Sequence, residues 1–515
     1  MKLSYKKTLF VGLAFFAISA FWQAYDSIIP KILTDKFGLS QSISGVIMAL
    51  DNVLALFLLP LFGAISDKCT NRRGRRTPFI IVGTMIASFA FVVLSFADGM
   101  QLTNLSDVDI ENEKALTNLY EANLTIKTPD GRKINICDYF KDPSDFTSIK
   151  MLDENGEATK DYTDYVVPAR QEYAWKVTAE NPGPIIFFVI MLLVVLISMS
   201  VYRSPAVALM PDVTIKPLRS KANAIINLMG TAGAMLILLC GIIFKTGATQ
   251  NALMAYTPFF VVVALIMLVS LVVFLKTVDE PKLVREMEEE SRKYGVSDDD
   301  VEKEAEATGD GKKFEKEERK SLILILVSVF LWYMGYNAAS TKYSVYAGKV
   351  LNLDYNLTLL VASAVGIISF VPVGIISSKI GRRKTVIFGV ALLTFAFGSI
   401  SFLRTGTPMW VINILFSIGG IGWAAINVNS FPMVVELSKS GDVGKYTGFY
   451  YTASMLAQTI TPIISGFLLD IKFTLLFPYA ALFVLASLIT MLFVKHGDSK
   501  PEEKKSLLES FDVDD

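Results

Sequence analysis

The stretch PLFGAISDKCTNRRGRRTPFI, Pro60 to Ile80, contains an aspartate and then four arginines around a glycine, between two apolar runs. The runs extend over residues 43 to 66 and 78 to 97, and about 20 apolar residues are needed to cross a bilayer. The stretch therefore predicts a short charged loop between two membrane-spanning helices.

The same pattern continues through the 515 residues of the chain, 52% of which are hydrophobic and 19% charged. The charges fall in a few blocks, and the apolar runs between them are too long for soluble core helices. We therefore predict an all-α membrane protein with twelve transmembrane helices in two sets of six. Their windows lie near residues 9 to 32, 43 to 66, 78 to 97, 183 to 209, 222 to 244, 252 to 275, 320 to 347, 354 to 378, 385 to 403, 409 to 433, 446 to 469 and 473 to 494.

The positions of Lys and Arg predict the orientation of these helices. The residues cluster in the short segments on one side, as in the loop after Asp67 and in IKPLRSK, and are sparse on the other side. Because cytoplasmic loops carry the excess of positive charge, we expect both termini to be cytoplasmic, in the cell membrane. The first 20 residues also resemble a signal peptide, but their apolar stretch continues past Ala20 to a spanning length.

Composition excludes several classes of function. With 49 Lys and Arg against 49 Asp and Glu, no net charge favours nucleic acid as a partner. Cys69, Cys137 and Cys240 are expected in three different compartments, so we predict no internal disulfide. The one histidine, His496, lies in the C-terminal tail, which excludes a His-based metal site. We predict no enzyme activity, no cofactor and no metal, and expect a monomer.

Two hydrophilic blocks divide the chain into five parts. Between helices 3 and 4, the segment TIKTPDGRKINI predicts a β-hairpin, and we favour a small extracellular cap without a transport role over a substrate-capturing one. A mixed-charge connection separates the halves. The predicted parts are a six-helix bundle over 1–275, the insert over 98–180, a cytoplasmic linker over 276–319, a second bundle over 320–495 and a cytoplasmic tail over 496–515.

The two halves repeat each other in sequence. GAISD from Gly63 and GIISS from Gly374 precede matching Arg-rich turns, and YDSIIPK from Tyr25 falls on YNAASTK from Tyr336 at the same offset. A second offset pairs Asp212 with Glu436. Such matches in the same order predict two pseudo-symmetric bundles from an ancestral duplication.

Twelve helices as six plus six, with an aspartate and an Arg-rich turn after the second, resemble the major facilitator superfamily. The loop Pro60 to Ile80 and the stretch ALMPDVTIKPLRSKANA, Ala208 to Ala224, are similar to sucrose–proton symporters of the glycoside-pentoside-hexuronide cation symporter branch. The resemblance implies alternating access between the two bundles. The chain departs from those symporters at Val207, where they have an arginine, and in having no acid from Pro184 to Leu209.

The charged loop predicts a cytoplasmic gate. Gly63 allows close approach of helices, and Asp67 is placed to pair with Arg75 or Arg76 and with a neighbouring helix N-terminus. Because Ser378 stands at the position of Asp67 in the second half, we expect an asymmetric gate. The predicted gate residues are Gly63, Asp67, Gly74, Arg75, Arg76, Asp212, Gly374, Gly381, Arg382, Arg383 and Glu436.

Two carboxylates within the spans predict proton coupling. Asp26 and Asp51 lie at similar distances from the inner face on adjacent helices, and charges in a bilayer need a partner or a water-filled cavity. Two alternatives remain open at this stage: Asp26 forms a structural ion pair with Lys31 or Lys342, or Asp51 caps an irregular turn with Asn52. Protons are favoured over sodium, because the acid pair of the melibiose-type relatives is missing.

Aromatic and amide side chains predict the substrate site. Aromatic faces pack on the CH patches of sugar rings, and amides and charged groups satisfy hydroxyls. Each candidate alone is more often a helix-packing residue. The candidates are Trp22, Gln23, Tyr25, Arg203, Asn223, Asn227, Trp332, Tyr336, Asn337, Lys342, Asn427 and Asn429.

These features together predict proton-coupled uptake of a sugar, a disaccharide or glycoside such as sucrose or maltose, with the lipid bilayer as the surrounding partner. Two alternatives remain: an exporter of amphipathic small molecules, and a sugar sensor that signals through the long linker without transport.

Overall fold

A computed structural model describes residues 3–154, 158–215, 218–248, 251–294, 316–437 and 443–496. In this part of the chain, twelve helices are long and apolar enough to cross a membrane, which confirms the predicted fold class. We label them α1 to α12: Tyr5–Lys36, Gln41–Asp67, Thr77–Asn104, Gly183–Asp212, Ala222–Phe244, Thr257–Thr277, Glu317–Leu351, Tyr355–Ser377, Arg382–Ile400, Met409–Val434, Gly448–Ile471 and Phe473–Leu492.

Each half of the protein has its own hydrophobic core. One buried cluster runs from Val11 to Val278 through α1 to α6, and another runs from Leu322 to Val494 through α7 to α12. Between the halves, α2 packs against α11, α5 against α8, and α1 against α7. The side chains that face lipid are apolar and exposed, such as Phe89 and Phe395, as expected for helices in a bilayer.

The segment between α3 and α4 forms a small folded unit with a third core, which includes Leu119, Phe146 and Val166. The predicted β-hairpin is confirmed: β1, Thr125–Lys127, pairs antiparallel with β2, Lys133–Asn135. Gly131 has a φ of 93° in the turn, a conformation that glycine adopts without strain. We call this unit the insert, and its side of the membrane bundle the insert face.

The opposite side is the linker face, where the connection between the halves begins. It contains the helix Glu280–Tyr294, which we call the linker helix. Residues 295–315 of the predicted linker, and the tail from 497, lie outside the described residues. A short loop joins α2 to α3 on this side, and α4 packs against both helices, so the ends of α2, α3 and α4 lie together.

Candidate functional site

A cavity of about 370 Å³ lies between the two halves. Its walls come from α1 and α5 of the first half and from α7 to α10 of the second. Small residues such as Gly230, Gly366 and Gly420 line it and keep it open, and hydroxyl and amide groups provide its polar part. The polar lining comprises Ser19, Asn227, Thr231, Tyr336, Ser340, Ser363, Trp423 and Asn427.

An aromatic stack forms one wall of this cavity. The rings of Tyr336 and Trp423 lie parallel, with centroids 3.5 Å apart and an interplanar angle of 2°. Tyr333 meets Trp423 edge-on at 5.4 Å. Tyr336 was predicted from the sequence but Trp423 was not, because Trp423 is marked there only as a single large aromatic in the small-residue run GGIGWAA.

Amide side chains from both halves reach the cavity. Asn227 of α5 and Asn427 of α10 line it, and Asn223, one turn before Asn227, is partly buried on the same helix. Asn429 is placed differently: its Oδ1 accepts a hydrogen bond from Ser377 Oγ, and its Nδ2 donates to the Ala425 carbonyl at 2.9 Å. Asn429 therefore joins α10 to α8 rather than lining the cavity.

One stripe of α1 leads from the cavity towards the insert face. Phe15, Ser19, Trp22 and Asp26 follow the i, i+4, i+7, i+11 spacing of a single helix face, and the first two line the cavity. Asp26 is partly buried on this stripe, two turns beyond Ser19. The stripe thus connects the cavity with a carboxylate inside the membrane.

Polar groups beside this stripe have few partners. Trp22 Nε1, the buried Tyr25 hydroxyl and Asn337 Nδ2 lack a hydrogen-bond partner among the described residues. Buried donors are rarely left unpaired, and none of these three residues belongs to the cavity lining itself. Gln23, in contrast, donates to Ser27 at 2.9 Å within α1. Trp332 is fully buried in the core of the second half.

The two predicted coupling carboxylates are neighbours. Asp26 and Asp51 lie close enough for their charges to interact, and Arg203 of α4 interacts with Asp51. The Arg203 guanidinium carbon also lies 6.0 Å from the centre of the Trp22 ring. An acid pair, an arginine and an aromatic ring from three helices therefore form one cluster.

The contacts of the two lysines and of Asp51 bear on the alternatives that the sequence left open. Lys31 Nζ donates to the Thr246 carbonyl at 2.6 Å, and Lys342 Nζ to the Gln41 carbonyl at 3.3 Å. Both lysines thus bind backbone oxygens at the insert end of their helices. Asp51 Oδ1 does accept from Asn52, at 2.6 Å from the backbone nitrogen and 2.7 Å from Nδ2.

A network of charges lies at the linker face in the first half. Arg76 pairs with Asp67 at 2.5 Å and with Asp212 at 2.8 Å, and Arg75 pairs with Asp212 at 2.8 Å. Burial disfavours the charged form of Arg76, but hydrogen bonds and charges from Asp212 and then Asp67 outweigh it and raise its pKa. The network ties the ends of α2, α3 and α4 together.

Glu280 of the linker helix, which is not among the predicted gate residues, binds beside this network. Its carboxylate is 1% exposed and accepts from the backbone nitrogens of Arg75, Arg76 and Thr77 at 2.7 to 2.9 Å. Gly74, with a φ of 104°, leaves room for it, because a Cβ there would lie 2.2 Å from the Glu280 carboxyl carbon. The signal was the acidic pair before Pro281, which marks a helix start.

Other predicted gate residues lie in α2, α8 and α9 and in the turn between α8 and α9. A Cβ on Gly63 would lie 3.0 Å from Ser204 Oγ, so α2 and α4 approach closely there. Gly374 is buried in α8, and Gly381 has a φ of 96° at the turn. Arg382 follows at the start of α9, and Arg383 donates to the Leu492 carbonyl at 2.9 Å. The side chains of Ser378 and Glu436 lie outside the described residues.

The two halves meet tightly at the insert face. A Cβ on Gly45 would lie 2.0 Å from the Pro462 oxygen, and one on Gly466 would lie 2.2 Å from the Gln41 oxygen, so α2 and α11 touch backbone to backbone. Thr246 bonds to the Tyr355 hydroxyl at 3.0 Å, where α5 meets α8.

The halves part towards the linker face. A cleft of about 530 Å³ opens between α2 and α11, with Leu59, Ala64 and Asp67 on one wall and Met455 on the other. The halves thus touch at the insert face, and a groove lies between α2 and α11 towards the linker face.

The chain resembles known transporters in sequence. A family model described as Major Facilitator Superfamily matches residues 175–441, and one described as MFS/sugar transport protein matches residues 10–106. Sucrose transport protein SUC3 of Arabidopsis thaliana is 38% identical over 68 residues, which cover 13% of this chain and 11% of the relative. Proton-associated sugar transporter A of Homo sapiens is 34% identical over 79 residues, 15% and 10% of the two chains. The matched segments thus span about a tenth of these relatives.

Solved structures match over the whole chain. The inward open conformation of the xylose transporter XylE from E. coli aligns with a TM-score of 0.58 at 16% identity, over 98% of both chains. A D-xylose-proton symporter aligns with a TM-score of 0.55 at 13% identity, over 96% of this chain and 99% of that one. At this identity the match concerns the fold, which is that of transporters. Because the superfamily model covers more than half of a chain with this twelve-helix fold, the protein belongs to the major facilitator superfamily.

Proposed function

We propose that this protein is a secondary active transporter that couples the uptake of a sugar to protons by alternating access. The observation that carries the proposal is the cavity between the halves, which has an aromatic stack and amides from both halves. Beside it lies an intramembrane acid pair, with Asp26 on the α1 stripe and Asp51 on α2. A disaccharide or glycoside such as sucrose or maltose is the proposed substrate class.

The proposed binding mode follows from the chemistry of the lining. The stack of Tyr336 on Trp423 offers an aromatic edge and face for the CH groups of a sugar ring. Asn227 and Asn427 approach from opposite halves, so a bound sugar would bridge the two bundles. Trp22 Nε1 and Asn337 Nδ2, on two helices that line the cavity, are proposed as further donors if the sugar displaces the side chains that bury them.

Proton coupling is assigned to Asp26, with Asp51 and Arg203 as its electrostatic neighbours. Two carboxylates close together in a low-dielectric site repel each other, so one of them is proposed to carry the proton, and Arg203 is the proposed charge partner of Asp51. Protonation of Asp26 removes a charge from the stripe that leads to the cavity, so the halves can rock past each other without an exposed charge in the membrane.

Transport would alternate between a state that is closed at the insert face and a state that is closed at the linker face. In the conformation described above, the cleft between α2 and α11 gives release on the linker side. For the opposite state, the contacts at the insert face would break and the linker face would close near the charge network of Asp67, Arg76 and Asp212. The proposed setting is the cell membrane, with both termini in the cytoplasm.

Reconstituted vesicles test this function. Labelled disaccharide uptake should rise several-fold with an inward proton gradient, and Asp26→Asn should abolish accumulation while still permitting exchange, because an amide cannot carry the proton. Asp26→Glu, which keeps a titratable group, should retain part of the accumulation. Unchanged concentrative uptake by Asp26→Asn would refute the role of Asp26, and sugar binding without accumulation would support a sensor.

An exporter of amphipathic compounds is a second candidate. Phe15, Leu359, Ile367 and Phe370 make much of the cavity wall apolar, which suits such cargo. Gradient-driven efflux of a lipophilic dye, with no sugar uptake in the same vesicles, would favour this function over sugar uptake.

A further inference from the structure

The N-terminus of α2 is capped by a residue of the other half. The Asp470 carboxylate, near the end of α11, accepts hydrogen bonds from the backbone nitrogen of Gln41 at 2.6 Å and of Ser42 at 2.8 Å. It also accepts from the Ser42 hydroxyl. Three donors at the start of one helix thus converge on one carboxylate across the interface between the halves.

Helix physics explains why this contact is strong. The first N–H groups of a helix have no acceptor within the helix and carry partial positive charge, so a carboxylate there is favoured. Among the side chains of the first half that the structure describes, Ser40 is the cap at this end, and its hydroxyl oxygen accepts from the Ile43 nitrogen at 3.2 Å. Two further N–H groups therefore bind an acceptor that belongs to the other half.

The surroundings of Asp470 tie the contact to a closed insert face. The fully buried Lys342 binds the Gln41 carbonyl beside it, and Lys127 of β1 donates to the Asp470 carbonyl oxygen. Glycines at 45 and 466 let α2 and α11 touch at this end, since a Cβ at either position would collide with backbone of the facing helix. Separation of the two helices would break the bonds from all three donors.

We infer that Asp470 is the positioning residue of the gate at the insert face. By capping α2 from α11, its carboxylate determines the fraction of molecules in which this face is closed. The inference rests on the proposed alternating access, because the closed fraction can vary only in a protein that also opens at this face. Lys342, which sequence analysis proposed as a substrate residue, is assigned to this gate as the group that holds the Gln41 carbonyl.

Spin-label distances across the insert face test the inference in the full-length protein. Labels at Thr103→Cys in α3 and Phe402→Cys after α9, both exposed, would be placed in a background with the three native cysteines replaced by serine. Asp470→Asn removes the charge and one acceptor site, so the ratio of open to closed distances should rise about tenfold.

The matched control is Ser40→Ala, which removes a cap of the same helix from within its own half. It should leave the distance distribution unchanged. A folded Asp470→Asn protein with the wild-type distribution would overturn the inference, and an equal shift in Ser40→Ala would show that the contact only stabilises the helix. If Asp470→Asn does not fold, Ser42→Ala, which removes one donor, should shift the ratio the same way by a smaller factor, and no shift would refute the role.

The distances are measured without sugar and without a gradient. A failed sugar assay therefore leaves this result intact, since a transporter of any other substrate would show the same opening. Conversely, the absence of a shift in Asp470→Asn would refute the gate role without contradicting the proposed sugar uptake.

Discussion

The side chains that line the cavity come from both predicted and unpredicted positions. Tyr336, Asn227 and Asn427 line it, whereas Trp332 lies in the core and Asn429 binds α8. All five are polar or aromatic residues in apolar helices, so composition could not separate them. Their position around the helix relative to the neighbouring half decides whether each one lines the cavity.

Trp423 provides the sharpest test of the proposed substrate site. Trp423→Ala should raise KM for the sugar by up to about tenfold, because an aromatic contact contributes about 0.5 to 1.5 kcal/mol and 1.4 kcal/mol corresponds to a factor of ten. Trp423→Phe, which keeps a ring against Tyr336, should raise it much less. Initial uptake rates at varied sugar concentration measure both, and an unchanged KM in Trp423→Ala would remove the stack from the site.

Among the elements, the linker helix has a role that its charge pattern did not reveal. Its sequence is typical of a solvated, mixed-charge segment. Glu280 at its start is nevertheless buried, and its carboxylate caps the N-terminus of α3 by accepting from the backbone nitrogens of Arg75, Arg76 and Thr77. The connection between the halves is thereby attached to the charge network of Asp67 and Asp212.

Glu280→Gln should destabilise the protein by roughly 1.5 to 3 kcal/mol, because charge-assisted hydrogen bonds to buried groups are lost. The matched control is Glu286→Gln on the same helix, whose contact with Lys7 is exposed and should contribute less than about 1 kcal/mol. Thermal unfolding in detergent compares the two. Equal melting temperatures for both variants would contradict the capping role of Glu280.

At the scale of the whole molecule, the insert contacts both halves. Gln171 of the insert donates to Asp35 of α1 at 2.7 Å, while Asn352 after α7 donates to the Ala158 carbonyl at 2.7 Å. Asp35 also lies 3.6 Å from Lys349 of α7. The insert thus contacts both halves at the insert face, and whether it has a role in transport stays a prediction.

The orientation of the molecule can be tested with its native cysteines. Cys137 lies in the insert and Cys69 in the loop after α2, on opposite faces, and both are partly exposed. If the termini are cytoplasmic, a membrane-impermeant maleimide should label Cys137 in intact cells and Cys69 only after permeabilisation. Cys137→Ser and Cys69→Ser assign the label, and the reverse pattern would invert the proposed topology.

The sequence by itself determined the twelve helices, the hairpin of the insert and the superfamily, because helix length, apolar content and turn residues are local properties that the bilayer enforces. It also singled out Asp67, Arg75, Arg76 and Asp212, since charges beside a membrane need partners. Only the tertiary structure decided that Glu280 caps α3, that Trp423 stacks on Tyr336 and that Asp470 caps α2 from the other half. Those contacts join residues far apart in the chain, and their energies depend on burial and distance, which no local pattern contains.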